Sequence, residues 1–143
     1  MDSRIISGVA SLSWAAGTFE GEGTVTITRS GRRGYTRPLV MLTSTDPNMV
    51  GFFHSRWPGV MTSHLPKGNA KVANTWTLNV RPSIARFLWD IMPFLKTDRV
   101  RRKAELVLDD IGARIQGARG PEYRSACHER REEIAKLNRR GAA

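Results

Sequence analysis

The chain has 143 residues, of which 40% are hydrophobic, so it is long enough for one domain with a packed core. Its formal net charge of +10 indicates a polyanionic partner, most often a nucleic acid. The single cysteine, Cys127, excludes an internal disulfide and a zinc site built from several cysteines. The sequence has no long apolar run and no signal-peptide pattern, which favours a soluble intracellular protein, cytoplasmic or nucleoid-associated, without a membrane partner.

Residues 14–27 predict a short helix followed by a strand. Ser11 or Ser13 is the candidate N-cap of the helix, and residues 24–27 alternate polar and apolar side chains. Ser13, Gly17 and Gly21 recur every fourth residue and therefore share one helix face. Glycine inside a helix costs roughly 1 kcal/mol against alanine, so this stripe indicates the close approach of another backbone.

Two acids stand at the end of this helix. Residues 1–95 contain only five acids against ten lysines or arginines, and two of the five are Glu20 and Glu22. The helix dipole disfavours negative charge at a C-terminus, so we interpret these acids as evidence for a bound cation.

The rest of the chain alternates hairpins and helices. Antiparallel hairpins with helices on one face predict an α+β domain. In chain order the predicted elements are a strand from Thr24, a loop over 30–34, a strand over 35–44, a helix from Asp46 to about Trp57 with Asp46 as its N-cap, a strand over 60–65, a strand over 71–80, a helix over 82–95, a helix around 104–111 and a polar helix from Gly120 to near Leu137.

Polar side chains share one face of the predicted sheet. A two-stranded ribbon fits the DNA major groove, although threonine on a solvent-facing sheet is also simply a good strand former. Arg32 and Arg33 at the first hairpin tip favour DNA, because arginine suits contacts to phosphate or guanine. The predicted DNA-binding residues are Thr24, Thr26, Thr28, Ser30, Arg32, Arg33, Arg37, Thr43, Thr62, His64, Thr75, Thr77 and Asn79.

Residues 15–23, Ala-Ala-Gly-Thr-Phe-Glu-Gly-Glu-Gly, resemble the nine-residue motif of the LAGLIDADG homing endonucleases. The segment keeps the two acids, the small residue between them and the terminal glycine, but has Ala15 and Thr18 where large apolar residues are usual. The order of elements over about residues 10–112 is also similar to a single-motif member. The resemblance implies an α-β-β-α-β-β-α fold with a saddle-shaped antiparallel sheet over residues 1–112, followed by a basic helical extension over 113–143.

The resemblance also implies the site. Two motif helices would pack together through Ser13, Ala16, Gly17 and Gly21 in a homodimer. Each would deliver Glu22 to Mg²⁺ or Mn²⁺, hard cations that carboxylates, water and phosphate oxygens hold and that phosphodiester hydrolysis needs. Glu20 would be structural.

Two further catalytic positions follow from the resemblance. Asp46 falls near the family's water-organising polar residue, although an Asp-Pro pair is also an ordinary helix cap. Residues 92–96 and 102–106 resemble the segment that leads through a basic catalytic position into the next helix. The spacing here is about two residues longer than usual, which leaves Lys96, Arg99 and Arg101 as alternatives.

We therefore predict a site-specific double-stranded DNA endonuclease that acts as a homodimer on a long pseudo-palindromic site. The alternatives are a catalytically inactive DNA-binding regulator or an RNA maturase on the same fold, and a basic RNA-binding protein whose Gly-Glu-Gly string is coincidental. Whether an intron encodes the protein is left open by the sequence.

Overall fold

The computed structural model of the chain describes residues 3–30, 35–65, 67–68 and 71–142. Arg32 and Arg33, predicted to contact DNA, lie outside the described residues. The elements are α1 (Ser3–Glu22), β1 (Gly23–Ser30), β2 (Tyr35–Ser44), α2 (Pro47–Arg56), β3 (Val60–His64), β4 (Ala73–Leu78), α3 (Arg81–Ile91), a 3-10 turn (Met92–Phe94), α4 (Asp98–Ile115) and α5 (Gly120–Ala142).

The predicted α+β fold class is confirmed. The four strands form one antiparallel sheet in the order β1-β2-β4-β3, so the two hairpins join through β2 and β4. Successive side chains of a strand point to opposite faces. One face carries the apolar residues and packs against the helices, and its buried members are Val25, Ile27, Val40, Leu42, Trp76 and Leu78.

Helix α1 is longer than predicted. It begins at Ser3, so Ser11 and Ser13 lie inside the helix and neither is its N-cap. Ile5, Ile6 and Val9 extend the helical spacing of apolar residues upstream of the motif. A serine inside a helix costs less than about 1 kcal/mol, so the helix can continue through Ser11 and Ser13. A residue type that favours the N-cap position therefore did not mark the start of α1.

The predicted start of α2 is confirmed. Asp46 is the N-cap in an extended conformation, and its Oδ1 accepts a hydrogen bond of 2.9 Å from the backbone N–H of Asn48. Pro47 occupies the first turn, where a missing N–H costs no helical hydrogen bond.

An aromatic cluster joins α2, β4 and α3. The Trp76 indole N–H donates to the Trp57 carbonyl at 2.8 Å, and the Trp57 indole N–H donates to Asp90 Oδ2 at 2.9 Å. The Phe87 ring packs edge-on against both Trp57 and Trp76, with centroids 4.7 and 5.1 Å away. Such pairs stabilise a core beyond the area they bury, and the two indole donors are satisfied.

Helix α5 packs onto α4 and the first two strands. Ile134 is 1% exposed and belongs to the main core, and Arg102 binds Glu133 at 3.0 Å. Buried Asp110 on α4 accepts hydrogen bonds of 2.9 Å from both Arg130 and Cys127. Residues 113–115, which the sequence assigned to the extension, form the last turn of α4. No helix in the described part of the chain is long and apolar enough to cross a membrane.

We predict that α5 unfolds together with the sheet. Replacing Ile134 with alanine should lower the free energy of unfolding by about 2–4 kcal/mol, because it removes buried methyl groups from a packed site. Urea unfolding followed by tryptophan fluorescence tests this, since all four tryptophans precede residue 112.

The matched control is Ile115→Ala, whose side chain is 69% exposed and whose loss should change stability by less than about 0.5 kcal/mol. An unchanged tryptophan transition in Ile134→Ala would contradict a shared core and would support an independent extension.

Candidate active site and nucleic-acid interface

The sheet face opposite the helices is exposed and largely polar, and we call it the open face. Paired residues of an antiparallel register point to the same side, so the pairs Thr28–Arg37, Thr43–Thr75 and Thr62–Thr75 place these side chains together. Asn79 follows β4 and is exposed. The same register places four further predicted residues on this face: Thr24, Thr26, His64 and Thr77. Ser30 pairs with Tyr35 at the far end of the hairpin.

Apolar and hydroxyl groups alternate across the open face. Leu39 and Met41 are partly exposed between the threonines, and Val60 is 45% exposed on β3. The site prediction did not include these three, although the same alternation of side chains places them there. The Thr43 and Thr75 hydroxyls hydrogen-bond across strands at 2.8 Å. No carboxylate occurs among the described residues of this face, so the surface suits an anion rather than a cation.

Glu22 is the last residue of α1, and the open face begins two residues later at Thr24. Its side chain is exposed, and no described lysine or arginine forms an ion pair with it. The last carbonyl groups of a helix lack intrahelical partners, so carboxylate and carbonyl oxygens meet at this point. A hard cation such as Mg²⁺ fits this oxygen set. No group of three or more potential side-chain ligands occurs in the part of the chain described, so water and substrate oxygens would complete the coordination.

Glu20 has a different role from Glu22. Its carboxylate accepts hydrogen bonds from the backbone N–H of Lys96 at 3.0 Å, and from the backbone N–H and the hydroxyl of Thr97 at 2.7 and 2.6 Å. We call this arrangement the Glu20 clamp. It gives Glu20 the structural role that the resemblance implied and explains why this acid stands at the helix end without a bound cation.

The clamp also sets the charge of Glu20. Partial burial raises the pKa of the carboxyl group, but the hydrogen bonds from Thr97 and Lys96 outweigh this effect and leave the pKa lowered. Glu20 therefore stays ionised and faces the N-terminal end of α4, where the helix dipole favours negative charge.

The three basic candidates differ in their surroundings. The Arg101 guanidinium donates to the Leu95 carbonyl and lies 3.7 Å from Asp98, so it is engaged within its own turn. The Arg99 side chain is half-buried on α4, whereas the Lys96 side chain is exposed. The clamp holds the backbone of Lys96 at the end of α1.

Asp46 lies away from the end of α1. It borders an open depression of about 510 Å³ together with Ser11 and Trp14, beside the middle of the helix. Glu22 is eight residues beyond Trp14, or about 12 Å at 1.5 Å per residue. The structure shows the capping role of Asp46, while its catalytic role stays a prediction.

Three of the four residues predicted for a dimer interface form an exposed line on α1. Ser13, Gly17 and Gly21 are exposed, and a Cβ added at Gly17 or Gly21 would meet nothing within 4 Å. We call these three residues the small-residue stripe. No contact within the subunit therefore requires glycine at these positions. Ala16 is 0% exposed in the core, so it has no surface to offer a second subunit.

Two large side chains near the stripe were not among the four residues predicted for the dimer interface. Val9 is 50% exposed and Trp14 is 45% exposed, and both extend the apolar character of the surface around the stripe. Val9 lies four residues before Ser13 and so continues the four-residue period of the stripe, which is the sequence signal that could have identified Val9.

The terminal glycine of the motif has a steric cause. A Cβ on Gly23 would overlap the ring of Phe19, which is 1% exposed. Gly23 therefore allows the chain to turn from α1 directly into β1 over a packed aromatic ring. This turn places Glu22 beside the first pair of the sheet, Gly23 with Leu42.

No protein-family model matches the chain, and no curated protein matches its sequence. Solved structures of homing endonucleases do match its fold. The chain is similar to I-CvuI, solved in complex with the I-CreI target in the presence of Mg with the DNA not cleaved, at 15% identity and a TM-score of 0.74 over 92% of this chain and 83% of that one.

Two further structures match over most of their length. The archaeal intron-encoded homing endonuclease I-Vdi141I, solved with DNA, has 12% identity and a TM-score of 0.73, with 88% of this chain and 82% of that chain covered. The homing endonuclease I-TnaI has 15% identity and a TM-score of 0.73, with 90% and 93% covered. At these identities the likeness shows a shared fold.

We predict that the Glu20 clamp contributes a pH-dependent part of stability. A group whose pKa is lowered by folding stabilises the protein above its unfolded pKa, near 4.5, and loses this contribution as the pH falls through the folded pKa. Glu20→Gln should therefore unfold at a lower urea concentration than wild type at pH 7, and this difference should shrink below pH 4.

The neighbouring Glu22→Gln is the matched control, because Glu22 forms no ion pair with a described residue and its change should leave stability unaltered. Equal stability of Glu20→Gln and wild type at pH 7 would contradict the clamp.

Proposed function

We propose that this chain, which has the fold of the LAGLIDADG homing endonucleases, is a divalent-metal-dependent endonuclease that cleaves double-stranded DNA as a homodimer. The observation that carries the proposal is the junction of α1 and β1. There an exposed carboxylate, Glu22, stands at the rim of the open face, so a metal ligand and a DNA-sized polar surface are continuous.

The open face would read the DNA. Hydroxyl groups can donate to or accept from base edges, and Arg37 can donate two hydrogen bonds to guanine. The partly exposed Leu39 and Met41 could contact thymine methyl groups, which also lie in the major groove. The net charge of +10 supplies the attraction to phosphates that binding of any sequence requires.

Glu22 would hold Mg²⁺ or Mn²⁺ at the scissile phosphate. Such a metal lowers the pKa of bound water and offsets the negative charge of the phosphate. Among the basic candidates we favour Lys96 as the residue that places a positive charge at the phosphate, because its side chain is exposed and its backbone is fixed at the end of α1. Arg99 and Arg101 then serve mainly within α4. Asp46 would organise water as a further, separately testable role.

The homodimer would form through the small-residue stripe. In a twofold-symmetric dimer the same surface of each subunit forms the interface, so the two α1 helices would cross at the stripe. Small residues there allow the two helix backbones to approach closely. The two Glu22 carboxylates would then lie on either side of the axis, one for each DNA strand. The target would be long and pseudo-palindromic, and a DNA substrate implies a location inside the cell.

We predict that Glu22→Gln abolishes cleavage and retains binding. The change keeps the shape of the side chain but removes the charge that holds the metal. The measurement is selection of cleaved and of bound molecules from a randomised duplex library with Mg²⁺. Wild type should yield a pseudo-palindromic cleaved site, and Glu22→Gln should enrich the same site uncut.

If both proteins enrich a duplex and neither cuts it, the chain is a DNA-binding regulator on this fold. If no duplex is enriched but a structured RNA is, the maturase or RNA-binding alternative replaces the proposal.

We predict that Gly17→Ala weakens the dimer while stabilising the subunit. A methyl group at Gly17 meets nothing within the subunit, so alanine should raise subunit stability by up to about 1 kcal/mol. The same methyl group would separate two closely packed backbones and should raise the dimer dissociation constant by about tenfold or more. Sedimentation equilibrium gives the dissociation constant, and urea unfolding gives the stability.

Gly51→Ala on α2 is the control, since a Cβ there also meets nothing and the residue lies outside the stripe. A wild-type protein that stays monomeric at micromolar concentration, with and without DNA, would contradict the dimer.

A further inference from the structure

A second concave surface lies at the other end of the sheet from Glu22. It is a cavity of about 540 Å³ where the start of β2 meets the N-terminal end of α3, the C-terminal end of α4 and the N-terminal end of α5. Five arginines line it, and we call it the arginine pocket: Arg37, Arg81, Arg114, Arg119 and Arg124. Only Arg37 belongs to the predicted DNA-binding residues.

The charge of the arginine pocket is not balanced by the protein. None of the five arginines forms an ion pair with a carboxylate among the described residues. Glu122, in the first turn of α5, is exposed and pairs with none of them. Five adjacent guanidinium groups repel one another, and a surface with no anion would gain stability by spreading them.

The helix ends make this arrangement still less favourable for the protein alone. Arg81 is the first residue of α3, and that first turn contains no acid. Arg119 and Arg124 flank the start of α5 at Gly120. Helix N-termini carry partial positive charge, so cations there are disfavoured and an anion is favoured. Two helix N-termini and five arginines therefore act in the same direction.

Several of these groups are held in place without using all of their donors. The Arg114 guanidinium lies 5.7 Å from the ring centroid of Tyr123, and Arg119 donates to the carbonyls of Ala118 and Arg114 at 2.8 and 3.2 Å. The Arg81 Nε and the Tyr123 hydroxyl are buried without a hydrogen-bond partner.

We propose that the arginine pocket binds a phosphate group, and that in the DNA complex this group is a backbone phosphate on the outer flank of the target. Guanidinium groups match phosphate oxygens with paired hydrogen bonds. The assignment to DNA rests on the proposed function, whereas the phosphate site itself does not.

The position of the pocket suits the flank of a duplex. Tyr35 lines the pocket and pairs with Ser30, seven residues along β1 from Gly23. Seven residues of a strand span about 23 Å, close to the length of seven base pairs of B-DNA. A duplex lying along the open face from Glu22 would thus bring its backbone to the pocket at about that distance.

The first test is the salt dependence of binding to a random-sequence 40-base-pair duplex. The double variant Arg81→Gln/Arg119→Gln should lower the magnitude of the slope of log K against log salt concentration by about 0.9 for each pocket that loses its phosphate, or about 1.8 for a homodimer with two pockets. The control Arg86→Gln/Arg139→Gln removes the same charge from exposed positions outside the pocket and should change the slope by much less.

The second test uses inorganic pyrophosphate in place of DNA. If pyrophosphate raises the melting temperature of wild type and of the control but not of the pocket variant, the pocket is a phosphate site. If, in addition, the pocket variant and wild type have equal salt slopes on the duplex, that site serves a free phosphorylated ligand and not DNA. Equal duplex slopes together with no response to pyrophosphate would overturn the proposal. Should the double variant fail to fold, judged by circular dichroism, Arg119→Gln alone replaces it, with a smaller decrease of the slope expected in the same direction, because its side chain is exposed.

These outcomes separate the two proposals. A protein that binds pyrophosphate in the arginine pocket but does not bind duplex DNA would retain the phosphate site and lose the endonuclease. A protein that binds and cuts duplex DNA with unchanged salt slope in the pocket variant, and without response to pyrophosphate, would retain the endonuclease and lose the phosphate site.

Discussion

The contact between Glu20 and the chain at Lys96 and Thr97 is the constraint on which the candidate site depends. It joins the C-terminal end of α1 to the N-terminal end of α4 across 76 and 77 residues. The carboxylate supplies acceptors to the backbone N–H groups of Lys96 and Thr97 just before α4. Because one carboxylate accepts three hydrogen bonds, the end of α1 and the loop before α4 are fixed to each other, and Glu22 and Lys96 are fixed with them.

The two acids of the motif therefore divide their work by position on the helix. The Glu20 carboxylate accepts hydrogen bonds from within the subunit, whereas the Glu22 side chain is exposed where the sheet begins. Gly23 belongs to the same arrangement, because only a residue without a Cβ can pass over the buried Phe19 ring. Three requirements, a hydrogen-bonded clamp at Glu20, an exposed carboxylate at Glu22 and a tight turn at Gly23, distinguish these three positions in physical terms.

Local patterns predicted most of the fold, while contacts between distant residues were missed. Alternation placed Val25, Ile27 and the facing threonines correctly, and the Asp46 cap was predicted because its partner is two residues away. The Glu20 clamp could not be derived from spacing, since its partners lie far along the chain. Helical phase explains the error at Ala16: it adjoins Gly17 in sequence but points into the core, one helical step of about 100° from the stripe. The arginine pocket assembles residues from four elements and a turn.

The strict alternation of the sheet has a consequence for how such a protein can change. Core residues and open-face residues occupy alternate positions on the same strands. The core residues pack against the helices, whereas the open-face residues are on the exposed side of the sheet. Exchanging an exposed threonine for another side chain typically alters stability by less than about 0.5 kcal/mol. A population of variants could therefore exchange open-face residues one at a time, each intermediate remaining folded, so that the chemistry of this surface can change while the scaffold stays constant.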